Sequence, residues 1–465
     1  MTLDELATLM RVNGLINALA APASLKWRAI QTGLLEVLLM GVSVPLRLIG
    51  NLVLVQFLFP EAFGLMATIT LLHMGLGLLS DVGLQESIIR EKDGERADFL
   101  CIVWTVKVIR GAALTTVTAL IGVLLLIFQD TWIEADTIYA DPLLPHLIIA
   151  SSVSFLIGGL GSVNTQVARR RLQTVQLMKL QLTASVASTL TMVLLAVITG
   201  SVWSILAGII LSHIIGAVLS YLWIDGPPMR FIYDKAVMER LWKFGRWIIV
   251  SSVFGYLLRN TDRIIFSFSV SAGIFSLYAI AFNWIDAGRM LLQQLISRVV
   301  QPVIGELVRE NRSDLRSKLE FLVSLQTAIV IVMIFALPVV VTLIIDALFP
   351  DEYEGAIQYL SLIALSLIHV PMSVYSATVT VIGNSRLIAV TMIATSALTF
   401  ISVWWALNEG GIKLAILAYA TLPVVQSQTL FLFGGLSKTI GWRVNLLWLA
   451  CFALLSYFHI AWFFG

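Results

Sequence analysis

The sequence has little charge and almost no cysteine. Of its 465 residues, 12% are charged and 58% are hydrophobic, whereas soluble domains carry about 25% charged and about 45–50% apolar residues. The deficit of charge extends along the whole chain, and it excludes water-soluble globular, disordered, collagen-like and nucleic-acid-binding classes of protein. The mean hydropathy is +0.92. This composition predicts a protein that crosses a membrane many times.

Signatures of catalysis and metal binding are also missing. Cys101 and Cys451 lie in different hydrophobic segments, and no cysteine or histidine cluster has the spacing of a metal site, so we expect neither a disulfide framework nor a structural zinc. There is no Walker loop, which excludes ATP hydrolysis by this chain alone. No serine, histidine and aspartate grouping indicates a nucleophile system. We therefore expect a protein that is not an enzyme and has no cofactor.

Apolar segments of about 20 residues, the length that spans the hydrocarbon core as a helix, recur throughout the chain. They predict an all-α integral membrane protein with about thirteen transmembrane helices, because lipid offers no partner to an unpaired backbone. The helices are expected to form two six-helix bundles and one additional C-terminal helix. The predicted division is a cytoplasmic lead-in at 1–28, an N-terminal lobe at 29–225, an amphipathic cytoplasmic linker at 226–243, a C-terminal lobe at 244–434 and the additional helix at 435–465.

The loops between these segments alternate in charge. One set is basic, as at Arg169-Arg170-Arg171, and the other is acidic, as at Asp351-Glu352. Basic loops stay in the cytoplasm, which places the N-terminus inside. Within the linker, Val237 and Leu241 fall at helical spacing between charged residues, which predicts a helix on the inner membrane surface. A plain solvated linker is the alternative.

Charged residues lie well inside the apolar segments, although a Lys or Arg near the bilayer centre costs about 2.5–3.5 kcal/mol. The cations outnumber the acids, which predicts an aqueous cavity for an anionic substrate such as a phosphate or pyrophosphate. The candidate substrate-binding cations are Arg47, Lys107, Arg110, Arg259, Arg263 and Arg289. The candidates for ion coupling or charge pairing are Glu36, Asp81, Asp262 and Asp286.

Several of these residues also have a purely structural interpretation. Asp286 and Arg289 are three residues apart on one helix face, so they could simply neutralise each other. Lys107 and Arg110 could instead extend towards the membrane surface. Histidines in the middle of apolar segments usually form hydrogen bonds to neighbouring helices rather than carry protons, and this is the expectation for His73, His213 and His369.

Short motifs in both halves of the chain resemble a known family. Arg47-Leu48-Ile49-Gly50-Asn51, the turn from Leu58-Phe59-Pro60-Glu61 to Leu65, and Ser80-Asp81-Val82-Gly83-Leu84 are similar to the opening of Wzx-type polysaccharide flippases. These belong to the multidrug/oligosaccharidyl-lipid/polysaccharide exporter superfamily. Arg259-Asn260-Thr261-Asp262-Arg263 and Leu277-Tyr278 resemble the start of that family's second half. The resemblance covers most of Ala29–Phe433.

The resemblance implies a flippase in a bacterial inner membrane. Its substrate would be an oligosaccharide repeat unit on undecaprenyl pyrophosphate, moved from the inner to the outer leaflet by two bundles that rock around a cationic cavity. Arg47 and Arg259 would contact the pyrophosphate or first sugar from opposite lobes. Implied partners are this lipid-linked oligosaccharide, membrane lipids, and a polysaccharide polymerase with its chain-length regulator.

Two questions stay open at the level of the sequence. A proton gradient, a sodium gradient or the membrane potential could each drive transport. The alternative functions are a lipid II flippase or multidrug exporter of the same superfamily, and a non-transporting membrane scaffold of polysaccharide synthesis.

Overall fold

The computed structural model describes residues 42, 45, 46, 48–80, 83–91, 93–171, 173–295, 315–382, 385–434, 436 and 442–464. Within these residues the fold is all-helical, and the only extended pairing is an isolated bridge between Thr137 and Ser271. The prediction of an all-α protein is confirmed. The α-helices are α1 Pro60–Leu79, α2 Leu84–Arg90, α3 Ala97–Trp132, α4 Leu143–Leu160, α5 Asn164–Arg170, α6 Thr174–Thr199, α7 Trp203–Leu222, α8 Lys235–Ser269, α9 Ala272–Leu295, α10 Leu315–Leu348, α11 Ile357–Ala364, α12 Ser373–Ile382, α13 Ser385–Thr421, α14 Val424–Phe433 and α15 Trp442–Phe464.

The number of membrane spans agrees with the sequence. Nine helical segments of the described residues are long and apolar enough to cross a membrane. One of them, Arg386–Phe433, is 48 residues long, far more than one crossing requires, and its helix bends at Gly411, where φ is 72°. Two further helices, α8 and α9, have 35 and 24 residues and carry charges near their middle. With residues 48–54, which are helical and precede α1, these spans confirm the prediction of about thirteen.

One span of the second half is not a continuous α-helix. It consists of a 3₁₀ segment at Asp351–Ala356, helix α11, a second 3₁₀ segment at Leu365–Met372, and helix α12. Pro371 lies in the second 3₁₀ segment, and proline has no backbone N–H to donate in a regular helix. Most of this span is buried inside the protein. Broken helices at membrane depth are tolerated where protein or a cavity surrounds them.

The two halves of the chain touch at the end of the bundle that carries the acidic loops, here called the acidic end. The backbone N–H of Ala272 donates to the carbonyl oxygen of Asp136 at 2.8 Å. The ring of Tyr139 stacks on Phe268 with a centroid distance of 4.3 Å. The hydroxyl of Tyr353 donates to the carbonyl oxygen of Leu58. The acidic end is therefore closed by direct contact between the halves.

At the opposite end, here called the basic end, the linker between the halves packs on the first half. Val237 and Leu241 are buried in a cluster with residues of α2, α3 and α5. The N–H of Ile232 donates to Thr105 Oγ1 at 3.1 Å, and Phe231 contacts the ring of Trp104 at a centroid distance of 4.8 Å. The apolar face that the sequence assigned to the membrane surface thus has a protein partner.

The linker helix is also continuous with a membrane span. Helix α8 begins at Lys235 and runs to Ser269 without a break. The carboxylate of Asp234 caps its start by accepting from the N–H groups of Ala236 and Val237, which satisfies donors that have no partner in the helix. A movement of this span therefore moves the segment that contacts the first half.

Hydrogen bonds connect two loops of the first half at the basic end. The guanidinium of Arg171 donates to a carboxylate oxygen of Glu95 at 2.6 Å, and Arg170 donates to the carbonyl oxygens of Ile88 and Glu91. The hydrogen bond from Arg171 holds the pKa of the Glu95 carboxyl below its usual range. Part of the basic sequence Arg169-Arg170-Arg171 therefore has a structural role.

Candidate functional site

A cavity of about 530 Å³ lies mainly within the second half. Among the described residues, its walls come from α8, α9, the 3₁₀ segment Leu365–Met372, and α12 to α14, together with Leu78 of α1 in the first half. This volume is in the range of about 300–1,000 Å³ typical of small-molecule sites. Two of the predicted cations, Arg259 and Arg289, line it. The resemblance implied a central cavity between the lobes, and that position stays a prediction.

Arg259 supplies the exposed positive charge of the cavity. Its Nε donates to the carbonyl oxygen of Gly255, one turn earlier in α8, at 3.3 Å. Among the described residues it has no carboxylate partner. A guanidinium has five N–H donors, so most of its hydrogen-bonding capacity is available to a ligand. Tyr419 donates to the carbonyl oxygen of Arg259 at 2.9 Å and holds this part of the backbone against α13.

Arg289 is already neutralised. Its Nε and Nη2 atoms lie 2.9 and 2.7 Å from Oδ1 of Asp286, so the ion pair that the sequence allowed is present. The Arg289 side chain is 14% exposed and the Asp286 side chain 33%. This pair brings no net charge to the cavity, although the guanidinium keeps further N–H donors. Among the described lining residues, the net positive charge therefore comes from Arg259.

The third arginine of this region, Arg263, contacts other side chains of the protein. Arg263 donates to the side-chain oxygen of Asn260, and its guanidinium lies 3.9 Å from the centroid of the Phe282 ring. Arg289 lies 5.1 Å from the same ring. An aromatic face attracts cations, so Phe282 stabilises both. Arg263 is not among the residues that line the cavity, and its contact with substrate stays a prediction.

Asp262 has a partner that the sequence did not suggest. It is fully buried, and its Oδ2 accepts a hydrogen bond from the hydroxyl of Tyr278 on α9. Its Oδ1 has no hydrogen-bond partner in the described part of the chain. Among those residues Asp262 forms no ion pair with an arginine.

Lys107 and Arg110 bind the ends of neighbouring helices. Lys107 Nζ donates to the carbonyl oxygen of Gly161, directly after α4, at 2.7 Å. Arg110 donates to Ser80 Oγ at 2.9 Å and to the carbonyl oxygen of Gly77, at the end of α1. The last carbonyl groups of a helix lack internal donors and carry partial negative charge. Neither cation lines the cavity, and their contact with substrate stays a prediction.

Replacing Lys107 by methionine tests whether this residue has a structural role or contacts the substrate. The change leaves the Gly161 carbonyl unpaired, so we expect it to lower the stability of the folded protein by about 1–3 kcal/mol. Transport per folded molecule should stay close to wild type. The measurements are the melting temperature of the detergent-solubilised protein and a transport assay normalised to folded protein. Lost transport with an unchanged melting temperature would instead favour a substrate contact.

The remaining candidate site residues lie outside the described part of the chain, and two of the three histidines connect neighbouring helices. Arg47, Glu36 and Asp81 lie outside the described residues, so their assigned roles stay predictions. Among the histidines, His73 contacts Ser151 on α4 at 2.9 Å, and His369 contacts the carbonyl oxygen of Ala420 at 2.7 Å. Both match the expected bonds between helices. His213 instead bonds to a carbonyl of its own helix, that of Ile209.

The sequence interpretation missed the uncharged polar wall of the cavity. This wall contains serine hydroxyls, the imidazole of His369 and two glutamine amides. Its members are Ser252, Gln293, Ser366, His369, Ser373, Ser376, Gln426 and Ser427. One signal was present: residues 366, 369, 373 and 376 are spaced by three, four and three positions, which places polar groups on one face of an apolar span.

Comparisons with known proteins agree with this architecture. A family model described as "Polysaccharide biosynthesis protein" matches residues 53–358, more than half of the chain. No curated protein matches the chain. Among solved structures, lipid II flippase MurJ in an inward closed conformation is 15% identical, with a TM-score of 0.67 and coverage of 93% of each chain.

A multidrug resistance MATE family transporter of the MOP superfamily is also similar. Its inward-facing conformation is 15% identical, with a TM-score of 0.64 and coverage of 86% of this chain and 94% of that one. Its outward-facing conformation is 14% identical, with a TM-score of 0.60 and coverage of 90% and 96%. These structures share the fold, and the family match covers both halves. The chain therefore belongs to the polysaccharide biosynthesis protein family, with the fold of MOP-superfamily transporters and flippases to which its Wzx-type motifs pointed.

Proposed function

We propose that the protein moves undecaprenyl-pyrophosphate-linked oligosaccharide repeat units from the inner to the outer leaflet of a bacterial inner membrane. One observation carries the proposal. Arg259 presents a guanidinium without a carboxylate partner, among the described residues, to a cavity inside a membrane bundle. The membership of the chain in a polysaccharide biosynthesis family supports a lipid-linked carbohydrate as the anionic ligand.

The chemistry of such a substrate fits the site. A pyrophosphate cannot enter hydrocarbon without a large desolvation cost, while its polyprenyl tail can stay in the lipid. Arginine binds phosphate through two parallel N–H donors. A cavity that provides this guanidinium can therefore replace part of the hydration of the headgroup during transfer.

The arrangement of charge and contacts suggests the direction of movement. We place the basic end in the cytoplasm because basic loops remain there, so the acidic end faces outward. The halves are in contact at the acidic end through the Ala272–Asp136 and Tyr353–Leu58 hydrogen bonds. Release of the sugar outside requires these contacts to separate, and the cycle requires them to form again.

Asp262 is the best placed of the described acids for a role in energy coupling. It is fully buried, and one of its carboxyl oxygens has no partner in the described part of the chain. Asp286 is occupied by Arg289, which favours a role in charge pairing. Glu36 and Asp81 keep their proposed coupling roles, and Arg47 its proposed contact with the pyrophosphate from the first half.

Reconstitution into vesicles tests the proposed function directly. The purified full-length protein is incorporated into liposomes with the lipid-linked oligosaccharide in one leaflet, and the appearance of sugar in the other leaflet is followed with a membrane-impermeant glycosidase. We expect protein-dependent transfer. A scaffold would leave the exchange rate equal to that of empty liposomes. A lipid II flippase or drug exporter would move lipid II or a cationic dye and leave this oligosaccharide in place.

A further inference from the structure

The cavity holds hydrogen-bond acceptors as well as cations. Gln293 lies one turn after Arg289 on α9, and Gln426 lies near the start of α14. Both side chains line the cavity with Arg259. Neither amide has a hydrogen-bond partner among the described residues. Each therefore presents a carbonyl acceptor and an NH₂ donor that a ligand can use.

Two further groups on the same wall lack partners. The Nε2 atom of His369 lies 2.7 Å from the Ala420 carbonyl oxygen, and because a carbonyl only accepts, Nε2 carries the hydrogen. In the neutral ring Nδ1 then has a lone pair, and this atom is without a partner in the described part of the chain. The hydroxyl oxygen of Ser366 also has no hydrogen-bond partner there. Buried polar atoms without partners are uncommon and call for an explanation.

These groups define the chemistry of the ligand. A phosphate offers only acceptors, so it could use the NH₂ group of each amide but would leave the amide carbonyl groups and the Nδ1 lone pair of His369 unpaired. A cationic ligand would call for carboxylates, and the described residues that line the cavity include no aspartate or glutamate. A hydroxyl group can both donate and accept a hydrogen bond, and so it can pair with both the NH₂ group and the carbonyl group of an amide. The wall fits a polyhydroxylated group joined to an anion.

We propose that Gln293 and Gln426 bind hydroxyl groups of the sugar that is attached to the phosphate held by Arg259, so that this wall of the second half is a carbohydrate subsite. This inference rests on the proposed function and adds the location and residues of sugar recognition. His369 and Ser366 line the same cavity. The subsite gives the protein a way to distinguish glycosylated lipid from the bare lipid carrier.

Binding of two lipids to the full-length protein in detergent tests the subsite. The probes are radiolabelled undecaprenyl pyrophosphate carrying one hexose, and radiolabelled undecaprenyl pyrophosphate without sugar. Gln293→Leu and Gln426→Leu should each weaken binding of the glycosylated probe by about 3- to 10-fold, and binding of the bare probe should not change. Gln293→Ala and Gln426→Ala serve as second variants if a leucine variant does not fold.

A matched control is available on the same helix. Gln428 also carries an amide on α14, but its side chain is engaged with Asn445 at 2.9 and 3.2 Å and does not line the cavity. Gln428→Leu should leave the ratio of the two affinities unchanged. Equal weakening of both probes by the Gln293 and Gln426 variants, or no weakening, would overturn the subsite while Arg259-dependent binding still supports the proposed function. A wild-type protein that binds neither probe would overturn both.

Discussion

Replacing Arg259 by alanine should abolish polysaccharide export while folded protein stays in the membrane at the wild-type level. Among the described residues the guanidinium makes one long hydrogen bond, to a carbonyl of its own helix, so we expect its loss to cost little stability. It would remove two charge-assisted bonds to phosphate, each contributing about 1.5–3 kcal/mol. We therefore expect transport to fall about 100-fold or more. The measurements are polymer at the cell surface and the reconstituted transfer rate, each relative to folded protein.

Two further variants show whether the loss is specific. Arg259→Lys keeps the charge but not the paired N–H donors, so an intermediate rate is expected. Arg316→Ala removes an arginine whose guanidinium pairs with Glu320 at 2.8 Å, in an exposed part of α10, and it should transport normally. Wild-type export by the Arg259→Ala variant would refute the assignment of Arg259 to the phosphate.

Much of the fold follows from the sequence because lipid imposes a simple rule. An apolar segment of sufficient length must be a helix, so the spans could be counted before the structure was known. Local geometry is equally predictable: Asp286 and Arg289 are three positions apart, and their pairing follows from helical spacing. The depth of Arg259 within its segment also indicated a polar cavity, which the structure contains.

The partners of the other charged residues could not be predicted. Asp262 bonds to Tyr278 on the next helix, and Lys107 bonds to a carbonyl 54 positions away. Such contacts depend on how each helix is rotated about its axis. In a soluble helix the apolar stripe fixes that rotation, but in a membrane helix the lipid-facing and buried sides are both apolar. The hydrophobic pattern therefore does not reveal which helix faces which.

The cavity wall and the linker also depend on contacts between helices that the sequence does not reveal. Ser366 and His369 had the spacing of a polar face, but Gln293 and Gln426 come from two other helices, and their meeting point depends on tertiary packing. Val237 and Leu241 formed a recognisable amphipathic pattern. These residues pack on protein rather than on a membrane surface because α2, α3 and α5 offer them an apolar surface. The sequence of the linker alone contains no information about that surface.

Replacing Gly64 by leucine should stop transport by preventing closure of the acidic end. A side chain at this position of α1 would overlap Ser276 on α9 and lie 3.3 Å from Ile138, even at its first carbon. Overpacking of this kind costs about 1–3 kcal/mol, and the part that arises from Ser276 on the other half applies only to the state in which the halves touch there. The equilibrium between the two states should shift about 5- to 150-fold towards the one in which the halves are separated at the acidic end, so that the protein cannot complete the transport cycle.

Thiol labelling measures this shift. Ser271→Cys places a reporter beside Thr137 at the contact between the halves, and Cys451→Ser removes a partly exposed native thiol. With Gly64→Leu, an impermeant maleimide should react faster with the reporter, and reconstituted transfer should fall. Gly77→Leu is the matched control, since a Cβ atom at that position of α1 meets no atom within 4 Å among the described residues. Equal labelling rates in the two leucine variants would contradict closure through Gly64, because a general disturbance of α1 would then account for the lost transport.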